Sequence, residues 1–192
     1  MPYIKLATFK PEEVIPYVRL ATLVRGVEKT ISPLVKEKEL PFAKREYAGY
    51  MVKLTSDRYR LFAEKGLKCV NCGVVGSVFV MERSVSQRIY KRWINMRSNG
   101  QEKEFFEWEL KRAEERAKTN GKLPNNNPDC IWHFNLYAAI PDGKMRMMTK
   151  DHIIPRSKGG QNCMENYQPM CTRCNGQKGD KISKEISNGL KK

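Results

Sequence analysis

Residues 149–180 read TKDHIIPRSKGGQNCMENYQPMCTRCNGQKGD. This stretch holds an adjacent Asp151-His152 pair, the asparagines Asn166 and Asn175, and a Cys171-x-x-Cys174 knuckle, and His152 is one of only two histidines in the chain. Just upstream, residues 131–140 (IWHFNLYAAI) and 145–154 (MRMMTKDHII) flank Pro141-Asp142-Gly143-Lys144. Two apolar runs around a Pro-Asp-Gly turn predict a β-hairpin whose second strand ends at Asp151 and His152. Neighbours on a strand point to opposite faces. The pair therefore diverges unless the strand is ending, which Ile153-Ile154-Pro155 suggests. Residues 155–170, with Gly159-Gly160 and Pro169, read as a loop, and a helix is expected from Thr172 to about Ile182 despite Gly176 and Gly179.

The 192 residues allow one ordinary domain, or a small domain with an appendage. A hydrophobic share of 40% supports a modest core, while a charged share of 30% leaves much of the chain wet. No apolar run is long enough for a transmembrane helix and the N-terminus lacks a signal-peptide core, so a cytoplasmic protein without a membrane partner is expected. The net charge of +15 favours a polyanionic partner. The surplus is spread: +6 over residues 1–68, +3 over 69–129 and +6 over 130–192.

Pro11-Glu12-Glu13 resembles a helix start, followed by Val14, Ile15, Val18 and Ala21, with Pro16 able to delay it. Residues 29–50 read as short helices and connections. Ser56-Asp57 opens a short helix that closes at Gly66. A strand is expected at 77–82. Ser84 and Gln87 make a capping box for a helix to about Arg97, which Asn99-Gly100 breaks. A further helix fits 102–119, and residues 121–128 form a loop. The fold expected is α+β, with a mainly helical, basic N-terminal region over 1–66. A second region, 67–192, carries the knuckle at 69–72, a helical insertion at about 84–119 and a core at about 130–182.

Six cysteines in a chain expected to be intracellular suggest metal before disulfide. Cys69/Cys72 and Cys171/Cys174 supply four thiolates, the ligand set of a tetrahedral structural zinc. The 98 residues between Cys72 and Cys171 mean that the fold must bring the pairs together. Two unrelated reduced pairs, or a redox Cys-x-x-C, are the alternatives; Cys130 and Cys163 receive no role. Asp151 and Asn175 oxygens suit a hard ion such as Mg²⁺ or Mn²⁺. That leaves His152 free as a base toward water, although spacing alone only suggests this arrangement.

The run Asp151-His152-Ile153-Ile154-Pro155, Gly159-Gly160, Asn166 and Cys171-x-x-Cys174-Asn175-x-x-Lys178 resembles the HNH endonuclease family. That family carries a ββα-metal finger. The similarity covers about residues 130–182 plus Cys69 and Cys72, and the wording from Trp132 to Gly160 is similar to HNH proteins of large tailed bacteriophages. The resemblance implies that His152 is the general base and that Asn166 holds the loop orienting it. It implies that Asp151 and Asn175 bind the catalytic Mg²⁺ or Mn²⁺, with Asn175 standing where the family name has histidine. Cys69, Cys72, Cys171 and Cys174 would hold Zn²⁺. Arg156, Lys158, Arg173 and Lys178 are candidate phosphate contacts, or ordinary solvated charges. Asn162 is the nearby alternative to Asn166. His133 and the aromatics of 132–137 read as core.

The function expected is metal-dependent hydrolysis of DNA phosphodiester bonds, in a phage homing role and in the host cytoplasm if the chain is phage-encoded. A non-catalytic zinc module that binds nucleic acid explains the charge and cysteines equally well. It does not explain Asp151-His152 with both asparagines. A packaging-associated phage protein is a third reading. No small-molecule cofactor is expected, and no oligomeric state follows from the sequence.

Overall fold

The Pro-Asp-Gly segment does turn the chain. Gly143 adopts φ +77° and donates its N–H to Ile140 O at 2.9 Å, while the Asp142 carboxylate accepts the Lys144 N–H at 3.1 Å. The turn sets the antiparallel register Tyr137↔Met147, Ala138↔Arg146 and Ala139↔Met145. A computed structural model describes residues 3–31, 44–108, 111 and 132–183. Its elements are β1 (Tyr3–Phe9), α1 (Pro11–Ile31), β2 (Lys44–Tyr47), β3 (Tyr50–Lys53), α2 (Asp57–Lys65), β4 (Val78–Ser84) and α3 (Gln87–Ser98), then β5 (His133–Ala139), β6 (Met145–His152), β7 (Tyr167–Cys171) and α4 (Thr172–Lys178). Residues 102–108 are also helical. The fold is thus mixed α and β, with strand order β1-β4-β5-β6-β7 in one sheet and β2-β3 in another.

Several sequence expectations change. Residues 167–171 form strand β7 rather than the end of a loop, in the register Met148↔Cys171 through Lys150↔Pro169 to His152↔Tyr167. Pro169 argues for a loop because it cannot donate to a ladder, but β7 is an edge strand, where proline is tolerated. The last helix stops at Lys178 because Gly179 leaves helical geometry at φ +54°. Ser84 ends β4, and Ser86 caps α3 by accepting the Ile89 N–H. The N-terminal region keeps two helices, α1 beginning at Pro11 with Pro16 inside it and α2, and adds the strands β1, β2 and β3, which the sequence did not suggest. Of residues 29–50, expected as short helices and connections, 29–31 continue α1, 44–47 form β2, β3 starts at Tyr50, and 32–43 lie outside the described residues, as do 109–110 and 112–119 of the expected 102–119 helix and the 121–128 loop.

The chain folds as two units, Met1–Ala7 with Arg45–Lys53 and Val80–Phe134, and Thr8–Lys44 with Leu54–Phe79 and Asn135–Lys192. In the first, Tyr47 packs edge-on to Phe134 (4.8 Å), and Tyr50 and Phe106 both meet Trp132 at 5.5 and 5.6 Å. Trp132 and Phe134 are buried, as the sequence suggests.

The second unit carries the stretch of interest. Val14, Val18 and Ala21 recur at helical spacing and are buried on α1. Ser56 caps α2, which buries Tyr59, Leu61, Phe62 and Ala63; Arg19 of α1 donates to Ala63 O. From α2, Lys65 Nζ donates to Tyr167 O at 2.7 Å, and Asp57 lies 3.5 Å from Lys150 of β6. Residues 67–76 form a tight knuckle: Cys69 N–H donates to Val74 O, Gly73 N–H to Cys69 O, and Gly76 N–H to Leu67 O. It docks on β7 through Val70 N–H to Pro169 O at 3.1 Å.

Candidate active site and metal centre

The knuckle and the start of α4 bring the two cysteine pairs together. The sulfurs of Cys69, Cys72, Cys171 and Cys174 all lie within 4.8 Å of one another. A zinc about 2.3 Å from four tetrahedral sulfurs requires sulfur–sulfur edges of about 3.8 Å. Cys72 Sγ and Cys171 Sγ are 3.8 Å apart. The cluster is therefore close to the size that holds an ion such as zinc. Cys69, Cys171 and Cys174 are buried and Cys72 is exposed. Burial pushes the Cys69 thiol up, but the N–H groups of Cys72, Cys171 and Asn71 outweigh it and bring it down to about 7. Burial pushes Cys174 up to about 12, with its Cys171, Cys72 and Cys69 neighbours adding to the effect. Sulfurs this close cannot all be charged without a cation among them. Among the described residues, these four cysteines form the one such metal-ligand cluster of cysteine, histidine and carboxylate groups.

β6 ends at His152, and its two faces carry different chemistry. Thr149 and Asp151 share one face. There the Asn175 amide nitrogen donates to Thr149 Oγ1 at 3.1 Å, leaving Asn175 Oδ1 without a donor among the described residues. Asp151 is 6% exposed. It accepts from Gln168 Nε2 at 2.8 Å and pairs with Lys178 Nζ at 3.3 Å. Gln168 also bonds Ser183, and Lys178 also donates to His152 O at 2.7 Å. A carboxylate offers about four lone-pair directions, so two donors leave room for a further ligand. A cavity of about 290 Å³, lined in part by Asn71, Gln168, Met170, Gln177, Lys178 and Ser183, opens beside this face.

Lys150 and His152 occupy the other face, over the Tyr167 ring. The Lys150 ammonium sits 3.7 Å from its centroid, and the half-exposed His152 ring meets it edge-on at 4.9 Å. His152 Nε2 bonds Asn162 Oδ1 at 2.8 Å. Asn162 and Asn166 thus do different jobs rather than compete for one. Asn166 is buried and clamps the loop backbone: Oδ1 accepts Ile154 N–H at 2.9 Å, and Nδ2 donates to Ile154 O (3.0 Å) and Gln161 O (2.9 Å). Ile153 N–H donates to Asn166 O at 2.8 Å. The glycine pair serves this clamp. Gly159 takes φ +82°, and a Cβ on Gly160 would fall 1.7 Å from Ile154 O.

The structure therefore gathers Asp151 and Asn175 on one face and leaves His152 at the strand end on the other. Arg156 and Lys158, on the loop, and Arg173, in the first turn of α4, are exposed. Lys178 is turned inward onto Asp151 instead. Gln168, Thr149, Tyr167 and Ser183 belong to the site but were not singled out from sequence. Gln168 is the cross-strand partner of Asp151, and recognising β7 would have found it. His133 lies outside this site, its ring 6.0 Å from Tyr3.

No helix among the described residues is long and apolar enough to cross a membrane. Residues 142–191 match the family model described as HNH endonuclease. No curated protein and no solved structure matches the chain.

Proposed function

We propose that this chain, whose residues 142–191 match the HNH endonuclease model, hydrolyses DNA phosphodiester bonds through a ββα-metal finger made of β6, β7 and α4. The observation that carries the reading is the end of β6. A buried carboxylate and an amide oxygen without a donor among the described residues share one face there, beside a half-exposed imidazole.

Asp151 and Asn175 would hold a Mg²⁺ or Mn²⁺ ion; their all-oxygen donor set fits a hard cation. When bound, such an ion neutralises charge on the phosphoryl group and the leaving oxygen. His152 accepts a proton from water as the water oxygen bonds to phosphorus. The phosphorus–oxygen ester bond then breaks, and the departing oxygen takes up a proton. Asn162 fixes the imidazole through Nε2, and Asn166 fixes the loop that carries Asn162. Because Asp151 and His152 face apart, the phosphate has to straddle the end of β6, where both side chains reach it. Arg156, Lys158 and Arg173 are the exposed candidates for neighbouring phosphates. Cys69, Cys72, Cys171 and Cys174 would hold a structural Zn²⁺, which would fix the start of α4. The wording of residues 132–160 adds a phage mobile-element setting, with DNA in the host cytoplasm as the substrate.

Incubating the protein with plasmid DNA and Mg²⁺ or Mn²⁺, beside His152→Ala, tests the reading. Cutting by the wild type that the variant loses supports it; binding by both without cutting by either sinks it. One observation favours the second reading, a zinc module that binds nucleic acid without catalysis. The Lys178 ammonium already neutralises Asp151, the carboxylate the ion requires. That second outcome of the assay is the one it expects.

A further inference from the structure

We propose that α3, in the first unit, is a duplex-docking helix whose Arg88, Lys91, Arg92 and Asn95 lie against the DNA sugar-phosphate backbone. The inference rests on DNA being the substrate, as read above.

The sequence of α3 is QRIYKRWINMRS, with four basic residues and no acidic one. At about 100° per residue, Arg88, Lys91, Arg92 and Asn95 fall within an arc of about 100°. All four are exposed. The opposite arc anchors the helix, with Trp93 buried and Ile89, Tyr90 and Met96 half-buried. The stripe is therefore held outward by the packing of the other side.

An ordinary solvated helix face mixes signs. The helical residues 102–108 do so, with Glu102, Lys103, Glu104 and Glu107 and a Lys103–Glu107 pair at 3.9 Å. α3 does not. Arg97, off the stripe, sits over Trp93 and lies 3.9 Å from Glu102. Among the described residues neither Arg88 nor Lys91 has a carboxylate partner. Arg88 also occupies the first turn, where the helix dipole disfavours a cation and no acid offsets it. The isolated chain bears that cost, and a polyanion lying along the stripe would relieve it. Arg92 is already ordered, its guanidinium 3.9 Å from the Trp108 ring centroid, so binding forfeits less rotamer freedom there. From Arg88 to Asn95 the stripe rises about 10 Å, comparable with the major-groove width of about 12 Å. Such contacts position a duplex without reading its sequence.

The test compares the double variant Arg88→Glu/Lys91→Glu with a charge-matched control, Lys10→Glu/Lys144→Glu. Both are made in a His152→Ala background and titrated with a labelled short DNA duplex across a salt series. The α3 variant leaves the Arg92–Trp108 stack in place. Its melting temperature should be unchanged or higher, since a carboxylate in the first turn suits the helix dipole where a guanidinium does not. We expect its affinity to fall at least about tenfold and its salt slope to lose about 2, one unit per phosphate contact removed. The control should lose much less. Equal loss in variant and control, or wild-type affinity and slope in the variant, overturns the proposal. Plasmid cutting separates this result from the preceding reading. A protein that binds through α3 and cuts nothing removes the endonuclease and leaves α3. One that cuts DNA yet binds identically after α3 reversal removes only α3.

Discussion

The cysteine cluster and the end of β6 share strand β7 and helix α4, yet they are built in opposite ways. At the cluster, four sulfurs from segments nearly a hundred residues apart converge within 4.8 Å, and three of the four residues are buried. Backbone N–H groups of Cys72, Cys171 and Asn71 face the Cys69 sulfur. At the end of β6 the polar groups are divided between two faces and occupied with one another: Asp151 with Gln168 and Lys178, His152 with Asn162. The first is a closed arrangement with no position left for a substrate. The second keeps its imidazole half-exposed and a carboxylate only partly satisfied. A structural ion is best served by completeness, while a reacting phosphate needs an incomplete shell.

The largest effect should come from breaking the closed side. Cys171→Ser should release zinc and unfold much of the second unit, because structural zinc binding is coupled to folding at about 10–16 kcal/mol in small zinc peptides. Metal analysis and thermal melting read it; near-normal zinc content and melting would refute the four-thiolate site. On the open side, His152→Ala should leave zinc content and melting in place while cleavage falls by about 10²–10⁴. A matching drop in melting temperature would move His152 to the structural side of the comparison.

Lys178→Met should cost about 3 kcal/mol by leaving Asp151 buried without its partner. Added Mg²⁺ or Mn²⁺ should recover part of that loss in a melting experiment. Recovery would mark Asp151 as a cation ligand, and a loss that divalent ions do not touch would count against that role. The smallest change is Asn166→Ala, at about 2 kcal/mol for a buried polar clamp. It should speed hydrogen exchange at the Ile154 amide before other amides of β6 and β7, and an unchanged Ile154 rate would show that the loop holds its shape without Asn166.

Much of this was legible in the chain. The Pro-Asp-Gly turn dictates its hairpin because its conformational demands are local, and Ser56 caps α2 for the same reason. The cysteine spacing also pointed to a four-sulfur cluster, since only thiolates at such spacing make that set. β7 was hidden because Pro169 speaks for a loop, while the feature that permits it, an edge position, is set by the whole sheet. Missing β7 concealed Gln168 opposite Asp151. It also hid why both Asn162 and Asn166 are needed, one for a side chain and one for a backbone. The inward turn of Lys178 was equally out of reach, because its neighbour in space is 27 residues away in sequence.

The docking of the knuckle on β7 has a further consequence. An edge strand with open carbonyls is a template on which a strand of another molecule can add. Along β7 the carbonyl of Tyr167 is taken by Lys65 and that of Pro169 by Val70, and Pro169 has no N–H to offer. The sheet is closed here to extension by a second copy. If the four cysteines hold a metal as proposed, losing it would free the knuckle from β7, and chelation should then uncover this edge and make it prone to aggregation.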